Sequence, residues 1–109
     1  MYIKRITDTY AVSGQIHPED IPLIKQAGFK SIMCNRPDGE TDDQPPAQII
    51  EEAAKEHGII FYHVPIGDAG IGLETLNGFS KVIKGGKYPV LAYCQTGGRC
   101  SRLWDAFND

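Results

Sequence analysis

The sequence of 109 residues predicts an α/β fold, a small and mainly parallel sheet of four to five strands with helices on both faces, in a single domain spanning residues 1–109. Three observations predict it. Short β-forming runs alternate with stretches whose apolar residues recur at helical spacing, the rhythm of parallel strands joined by crossover helices. Glycine or proline closes most of these segments, which marks their ends. The run Tyr88-Pro89-Val90-Leu91-Ala92-Tyr93 empties into Cys94-Gln95-Thr96-Gly97-Gly98-Arg99, with an amphipathic stretch directly behind it. That is the strand, turn and helix succession from which anion-binding loops are built.

Taken in order, Ile3 to Val12 alternates loosely and reads as a strand or hairpin edge ending at Ser13-Gly14-Gln15. His17-Pro18-Glu19-Asp20 puts proline and two acids where the first turn of a helix favours them, with Ile21, Ile24 and Ala27 on one face and Gly28 as the stop. Lys30 to Cys34 is a brief buried strand, followed by the turn-dense Asn35-Arg36-Pro37-Asp38-Gly39-Glu40. After Pro45-Pro46, Ile49, Ile50, Ala53 and Ala54 recur at helical spacing until Gly58. Ile59 to Val64 forms the next strand, Gly67-Asp68-Ala69-Gly70 its loop, and Leu73, Leu76, Phe79, Val82 and Ile83 line a third helix closed by Gly85-Gly86. Leu103, Trp104 and Phe107 supply the apolar face of a last helix.

A net charge of −3 and a pI near 5.5 leave no overall positive field, so neither nucleic acid nor an acidic membrane surface is an expected partner. Met1-Tyr2-Ile3-Lys4-Arg5 lacks the apolar block of a signal peptide, and the expected location is cytoplasmic. Cys34, Cys94 and Cys100 form an odd set without a CxxC pair, which suits free thiols in a reducing compartment. No Cys/His pair has structural zinc spacing, and Gly85-Gly86-Lys87 lacks the trailing hydroxyl residue of a phosphate loop, so no metal or other cofactor is expected.

In open α/β sheets the ligand crevice lies beyond the carboxyl ends of the strands. There the sequence places Cys94, whose sulfur would meet the backbone amides of Gln95, Thr96, Gly97, Gly98 and Arg99 and the positive end of a helix, both of which favour a thiolate. Arg99 is the expected anion clamp: a cation is poorly placed at a helix start unless an anion offsets the repulsion. Asp68 is a candidate general acid or a turn aspartate, and Asp38, in the strong turn Pro37-Asp38-Gly39, is its rival. Arg36 would add positive potential, and Ser101 would either donate a hydrogen bond to the sulfur or cap the helix. Cys100 or Cys34 could resolve an oxidised Cys94 as a disulfide. His63, on an apolar strand, reads as a hydrogen-bonded core histidine, while His17 and His57 fall at a cap and a helix end.

Four of these segments, Ser13-Gly14-Gln15, Cys34-Asn35-Arg36-Pro37-Asp38-Gly39-Glu40, His63-Val64-Pro65-Ile66 and Cys94-Gln95-Thr96-Gly97-Gly98-Arg99, resemble in order the phosphatase-like domain family of beta-lactamase-hydrolase-like proteins. That family is similar in fold to dual-specificity and tyrosine phosphatases. The resemblance implies a nucleophilic Cys94, an oxyanion-binding Arg99 and an acid near Asp68. The pattern departs in two respects. Tyr93, not histidine, precedes the cysteine, and four residues rather than five separate Cys94 from Arg99. A loop of that length is similar to rhodanese-type sulfurtransferases. Some relatives are fused to metallo-hydrolase domains linked to persulfide metabolism, so such a domain is a possible partner in related proteins. The expected function is therefore a cysteine-dependent phosphatase-like hydrolase acting on a small phosphoester. The alternatives are a sulfurtransferase taking sulfur from a sulfane donor onto Cys94, and a non-catalytic anion-binding or thiol redox module.

Overall fold

The computed structural model describes residues 1–109 and contains five strands: β1 (Ile3–Arg5), β2 (Tyr10–Ser13), β3 (Ser31–Cys34), β4 (Ile60–His63) and β5 (Val90–Tyr93). Four α-helices accompany them: α1 (Ile21–Gln26), α2 (Ala47–Glu56), α3 (Leu73–Lys84) and α4 (Gly98–Phe107), with a single 3-10 turn at Pro18–Asp20 leading into α1. The strands form one sheet in the order β1-β2-β5-β3-β4. Only β1 runs antiparallel, closing a hairpin with β2; the β2–β5, β5–β3 and β3–β4 pairs are parallel. The expected α/β class is the one observed, and the open reading of the first segment resolves as a hairpin.

The period-two alternation of strand side chains divides the core. Ala11, Ile32, Leu91 and Tyr93 face α1 and α2, where they meet Ile21, Ile24, Ala47, Ile50 and Ala54. Tyr10, Val12, Met33, Val90 and Ala92 face α3 and α4, where Phe79, Val82, Cys100 and Leu103 complete the second layer. Because both faces are covered, β2, β3 and β5 are buried at every position and read as unbroken β-forming runs. β4 is an edge strand, so His63 is exposed rather than in the core; one ring nitrogen, Nε2, lies 3.1 Å from the Arg36 carbonyl.

Register is what builds the crevice. Ser13 pairs with Tyr93, Tyr93 with Cys34, and Cys34 with His63, so four strands end flush on a single row. Their outgoing segments leave along the same rim and stay tied: Asn35 N–H donates to Tyr93 O (2.8 Å), Val64 N–H to Cys34 O (2.9 Å) and Ile66 N–H to Asn35 O (2.9 Å). On the α3/α4 side, the Tyr10 hydroxyl donates to the Cys100 carbonyl at 2.9 Å and its ring stacks on Trp104 at 4.6 Å. This anchors the first turn of α4 to the sheet.

Two loop aspartates part company here. Asp38 Oδ1 accepts the Ala47 amide at 2.8 Å, satisfying an orphan donor at the start of α2. Asp68 caps nothing: α3 starts from Gly72, whose amide donates to Thr75 Oγ1 at 3.3 Å, and Asp68 stands exposed in a turn. Replacing Asp38 with Ala is expected to lower stability by about 1 kcal/mol, the usual cost of a lost helix cap, as read by urea denaturation.

Candidate active site

Cys94 lies one residue beyond β5, and its amide extends the ladder by donating to Ser13 O at 3.3 Å. The chain then turns tightly over the backbone of Ser13-Gly14-Gln15. A Cβ on Gly14 would sit 2.9 Å from Gln95 O, closer than any side chain tolerates. Gly97 takes φ of +92°, and a Cβ there would come within 3.3 Å of Ser13 O. Glycine at both positions lets the two backbones close on one another, and it turns the Gly97 amide onto Cys94 Sγ at 3.1 Å. α4 begins at the next residue, so its first free amides also lie beside the sulfur.

The Cys94 thiol is lowered to about 4 by, first, a hydrogen bond from the Cys100 thiol, and then by the amides of Thr96, Cys100 and Arg99; burial opposes them. Cys100 is the counterpart: burial and the adjacent thiolate push its own thiol well above the ordinary range, so it stays protonated as a donor. The Gly97 amide is the hydrogen-bond donor that the geometry places on the sulfur, and the Ser101 amide continues the helix by donating to Gly97 O at 3.1 Å. Cys34 belongs to the opposite core layer, where its thiol lies 3.3 Å from Arg36 O; burial raises it. Of the two expected resolving thiols, Cys100 is the one in contact with Cys94.

Arg99 is held from one side. Its Nη1 and Nη2 donate to the Glu40 carboxylate at 2.7 and 2.9 Å, and Nη1 also reaches the Ile66 carbonyl at 2.9 Å. Glu40 and then Cys94 raise the basicity of Arg99, which faces the thiolate as well as the carboxylate. Arg36 is buried at 3% exposure and donates through Nε to the same carboxylate at 3.0 Å. Glu40 therefore sits between two guanidinium groups, Arg99 first and Arg36 second, and they bring its carboxyl down from 4.5 to about 2. Sequence reasoning quoted Glu40 within a motif but gave it no task. The available signal was Arg99 itself, a cation at a positive helix end that requires an anion.

Cys94, Gln95 to Gly98 and Arg99 are brought together, with Arg36 one carboxylate away. Asp68 is two residues beyond Ile66, the carbonyl that Arg99 holds. Cys94 itself is 0% exposed. Two cavities flank its loop. One of about 440 Å³ lies between Thr96–Gly98 and Tyr2, Lys4 and Ser13–Gln15; another of about 320 Å³ lies on the Gln95 side. The largest, about 910 Å³, lies between residues 63–70 and α3 and touches no residue from 94 to 99. No three His, Cys, Asp or Glu side chains gather at metal-binding distances. No helix is long and apolar enough to cross a membrane.

Residues 2–108 match the family profile described as beta-lactamase hydrolase-like protein, phosphatase-like domain. The chain belongs to this family. The phosphatase-like domain is 30% identical over 104 residues to the beta-lactamase hydrolase-like protein of Xylella fastidiosa and 31% identical to that of Agrobacterium fabrum. It spans only 24% of the length of those curated relatives, and each alignment covers 95% of the domain. Among solved structures, a candidate phosphatase of Neisseria meningitidis Z2491 superposes with a TM-score of 0.85 at 38% identity, over 95% of this chain and 74% of that one. A candidate phosphatase of Shewanella putrefaciens CN-32 superposes at 0.83 over 97% of this chain and 66% of its own; at 20% identity it supports the fold alone.

Two measurements test the charge arrangement. The ultraviolet thiolate absorbance lost in Cys94→Ser should titrate near pH 4; Cys100→Ala should move that midpoint up by about one to two pH units, and Cys100→Ser, which keeps a donor, should largely restore it. Glu40→Gln should cost about 1–3 kcal/mol at neutral pH, because it leaves the buried Arg36 without its counter-charge. A lowered carboxyl stabilises the fold fully above its unfolded value of 4.5 and loses that contribution as pH falls to about 2. The stability gap between wild type and Glu40→Gln, followed by urea melts, should accordingly shrink across that window.

Proposed function

We propose that this domain hydrolyses phosphoesters through a phosphocysteine on Cys94. The thiolate attacks phosphorus, an S–P bond forms as the ester P–O bond breaks, and Asp68 gives its proton to the leaving oxygen. Water then attacks the phosphocysteine, passing a proton to the Asp68 carboxylate as the S–P bond breaks; inorganic phosphate leaves and the thiolate returns. The amides of residues 95–99 and the guanidinium of Arg99 would meet the charge gathering on the equatorial oxygens. Cys94 is buried, so the loop would adjust around the incoming group, whose oxygens would compete with Glu40 for the Arg99 guanidinium.

The observation that carries this reading is the Arg99 Nη1 bond to Ile66 O at 2.9 Å. It supports the reading because the loop that carries Asp68, two residues beyond Ile66, is tied to the guanidinium that would hold the phosphoryl oxygens. A second reading, sulfur transfer, has one observation in its favour: only four residues separate Cys94 from Arg99, and within that small ring the Gly97 amide is already spent on the sulfur. In that reaction Cys94 thiolate attacks the outer sulfur of thiosulfate and sulfite departs. An acceptor thiolate then removes the sulfur from the Cys94 persulfide.

Intact mass after brief exposure to an aryl phosphate or to thiosulfate separates the two readings, since a phosphoryl and a sulfur adduct differ in mass. The expected result is a phosphoryl adduct, absent in Cys94→Ser. Asp68→Asn should slow alkyl phosphates by about 10²-fold or more while largely sparing p-nitrophenyl phosphate, whose leaving group needs no proton. Equal slowing of both would remove Asp68 from the acid role, and a persulfide adduct with thiocyanate formation from cyanide would favour the second reading.

A further inference from the structure

Beyond the loop, on the Gln95 side, lies the cavity of about 320 Å³ lined by Gln15, His17, Arg36, Thr41, Asp43, Gln44 and Gln95, with no hydrophobic residue among them. Arg36 forms its inner wall. The guanidinium has five N–H groups, and three are engaged: Nε with Glu40, one on Nη1 with Gln15 Oε1 at 2.9 Å, and one on Nη2 with Thr41 Oγ1 at 3.3 Å. Gln15 and Thr41 themselves line the cavity, so the Nη1–Nη2 edge of a buried arginine is framed by it, with one N–H on each nitrogen left over.

The facing groups decide what fits. Asp43 presents a carboxylate with one oxygen taken by Thr41 at 2.7 Å, leaving the other as an acceptor. Gln95 and His17 add polar groups at the mouth. An aryl ring would find no apolar surface, and a second anionic group would meet Asp43. Hydroxyl groups suit both walls, since each accepts from the Arg36 fork and donates to Asp43. The placement is also apt: Gln95 follows Cys94 directly, and Arg36 shares Glu40 with Arg99, so the cavity adjoins the loop that would hold the phosphoryl group.

From this we infer that the cavity receives the polyhydroxylated portion of the substrate, making the preferred ester a sugar or polyol phosphate rather than an aryl phosphate. The inference rests on the phosphoester reading for the bond that is cleaved, but the cavity's preference is measurable without turnover. Cys94→Ser protein titrated calorimetrically with D-ribose 5-phosphate, phenyl phosphate and inorganic phosphate should bind ribose 5-phosphate about 5- to 10-fold more tightly than the other two. In otherwise wild-type protein, Asp43→Leu, at an exposed position, should lower the ratio of kcat/KM for ribose 5-phosphate to that for phenyl phosphate about tenfold; His17→Leu should shift it the same way. Equal binding of all three ligands, or an unchanged ratio, overturns the inference while leaving the phosphoester reading intact. If no phosphate ester binds or turns over, that reading fails, and D-ribose alone decides: amide resonance shifts confined to Gln15, Thr41 and Gln95 uphold the cavity's preference, and their absence overturns it.

Discussion

A negative charge on a sulfur that solvent does not touch is the constraint around which this domain is arranged. Burial alone would hold Cys94 as a thiol; it is outweighed by a neighbouring thiol and a cluster of amides, and the charge lives at neutral pH. Those amides point at the sulfur only because the chain turns over Ser13-Gly14-Gln15 at near-contact distance, which in turn demands glycine at positions 14 and 97. The Tyr10 hydroxyl fixes the Cys100 carbonyl, holding the first turn of α4, and with it the Cys100 side chain, against the sheet. A hairpin strand, a core tyrosine and a second cysteine are thus all in the service of one ion.

Arg99 completes the charge balance in a way that looks paradoxical until Glu40 is considered. A guanidinium in the first turn of a helix faces the positive end of the macrodipole. Glu40 supplies the missing anion from within the chain, and the buried Arg36 locks that carboxylate in place from behind. The consequence is an arginine fixed in direction before any ligand arrives, with little side-chain entropy left to lose on binding. The arrangement also couples two loops that are far apart in sequence, since Arg99 grips both Glu40 and the Ile66 carbonyl.

The elements were legible because their signals are local. Short β-forming runs bounded by glycine and proline mark β3 to β5, and helical spacing marks the apolar faces of α2, α3 and α4. Cys94 and Arg99 stood out for the same reason: strand, turn and helix follow each other without a break. What escaped were partners across long separations, such as Glu40 with Arg99, 59 residues apart. Asp38 was only half legible, because its turn was plain but its bond to the Ala47 amide depends on how the loop folds back. Ser101 was left open between a donor to the sulfur and a helix cap, because which side chain of the first turn of α4 meets Cys94 depends on helix phase; Cys100, read only as a resolving thiol, is the neighbour that most lowers the Cys94 thiol. His63 was misjudged because its apolar neighbours suggested a central strand, whereas the sheet order leaves β4 at an edge.

Covering the sulfur resolves a conflict inherent in such sites. A strongly acidic thiol is ionised throughout the neutral range, and the thiolate is the form that peroxides oxidise. Its intrinsic nucleophilicity per ion is also lower than that of a more basic thiolate. An open site would therefore carry the oxidative risk of a thiolate continuously, for a nucleophile that is only moderately strong. In this domain the Cys94 side chain is buried, and Arg99 is held by Glu40, a carboxylate that an oxyanion is equipped to replace on the guanidinium. The carboxylate that positions the arginine is thus also the group that an anion would have to displace from it.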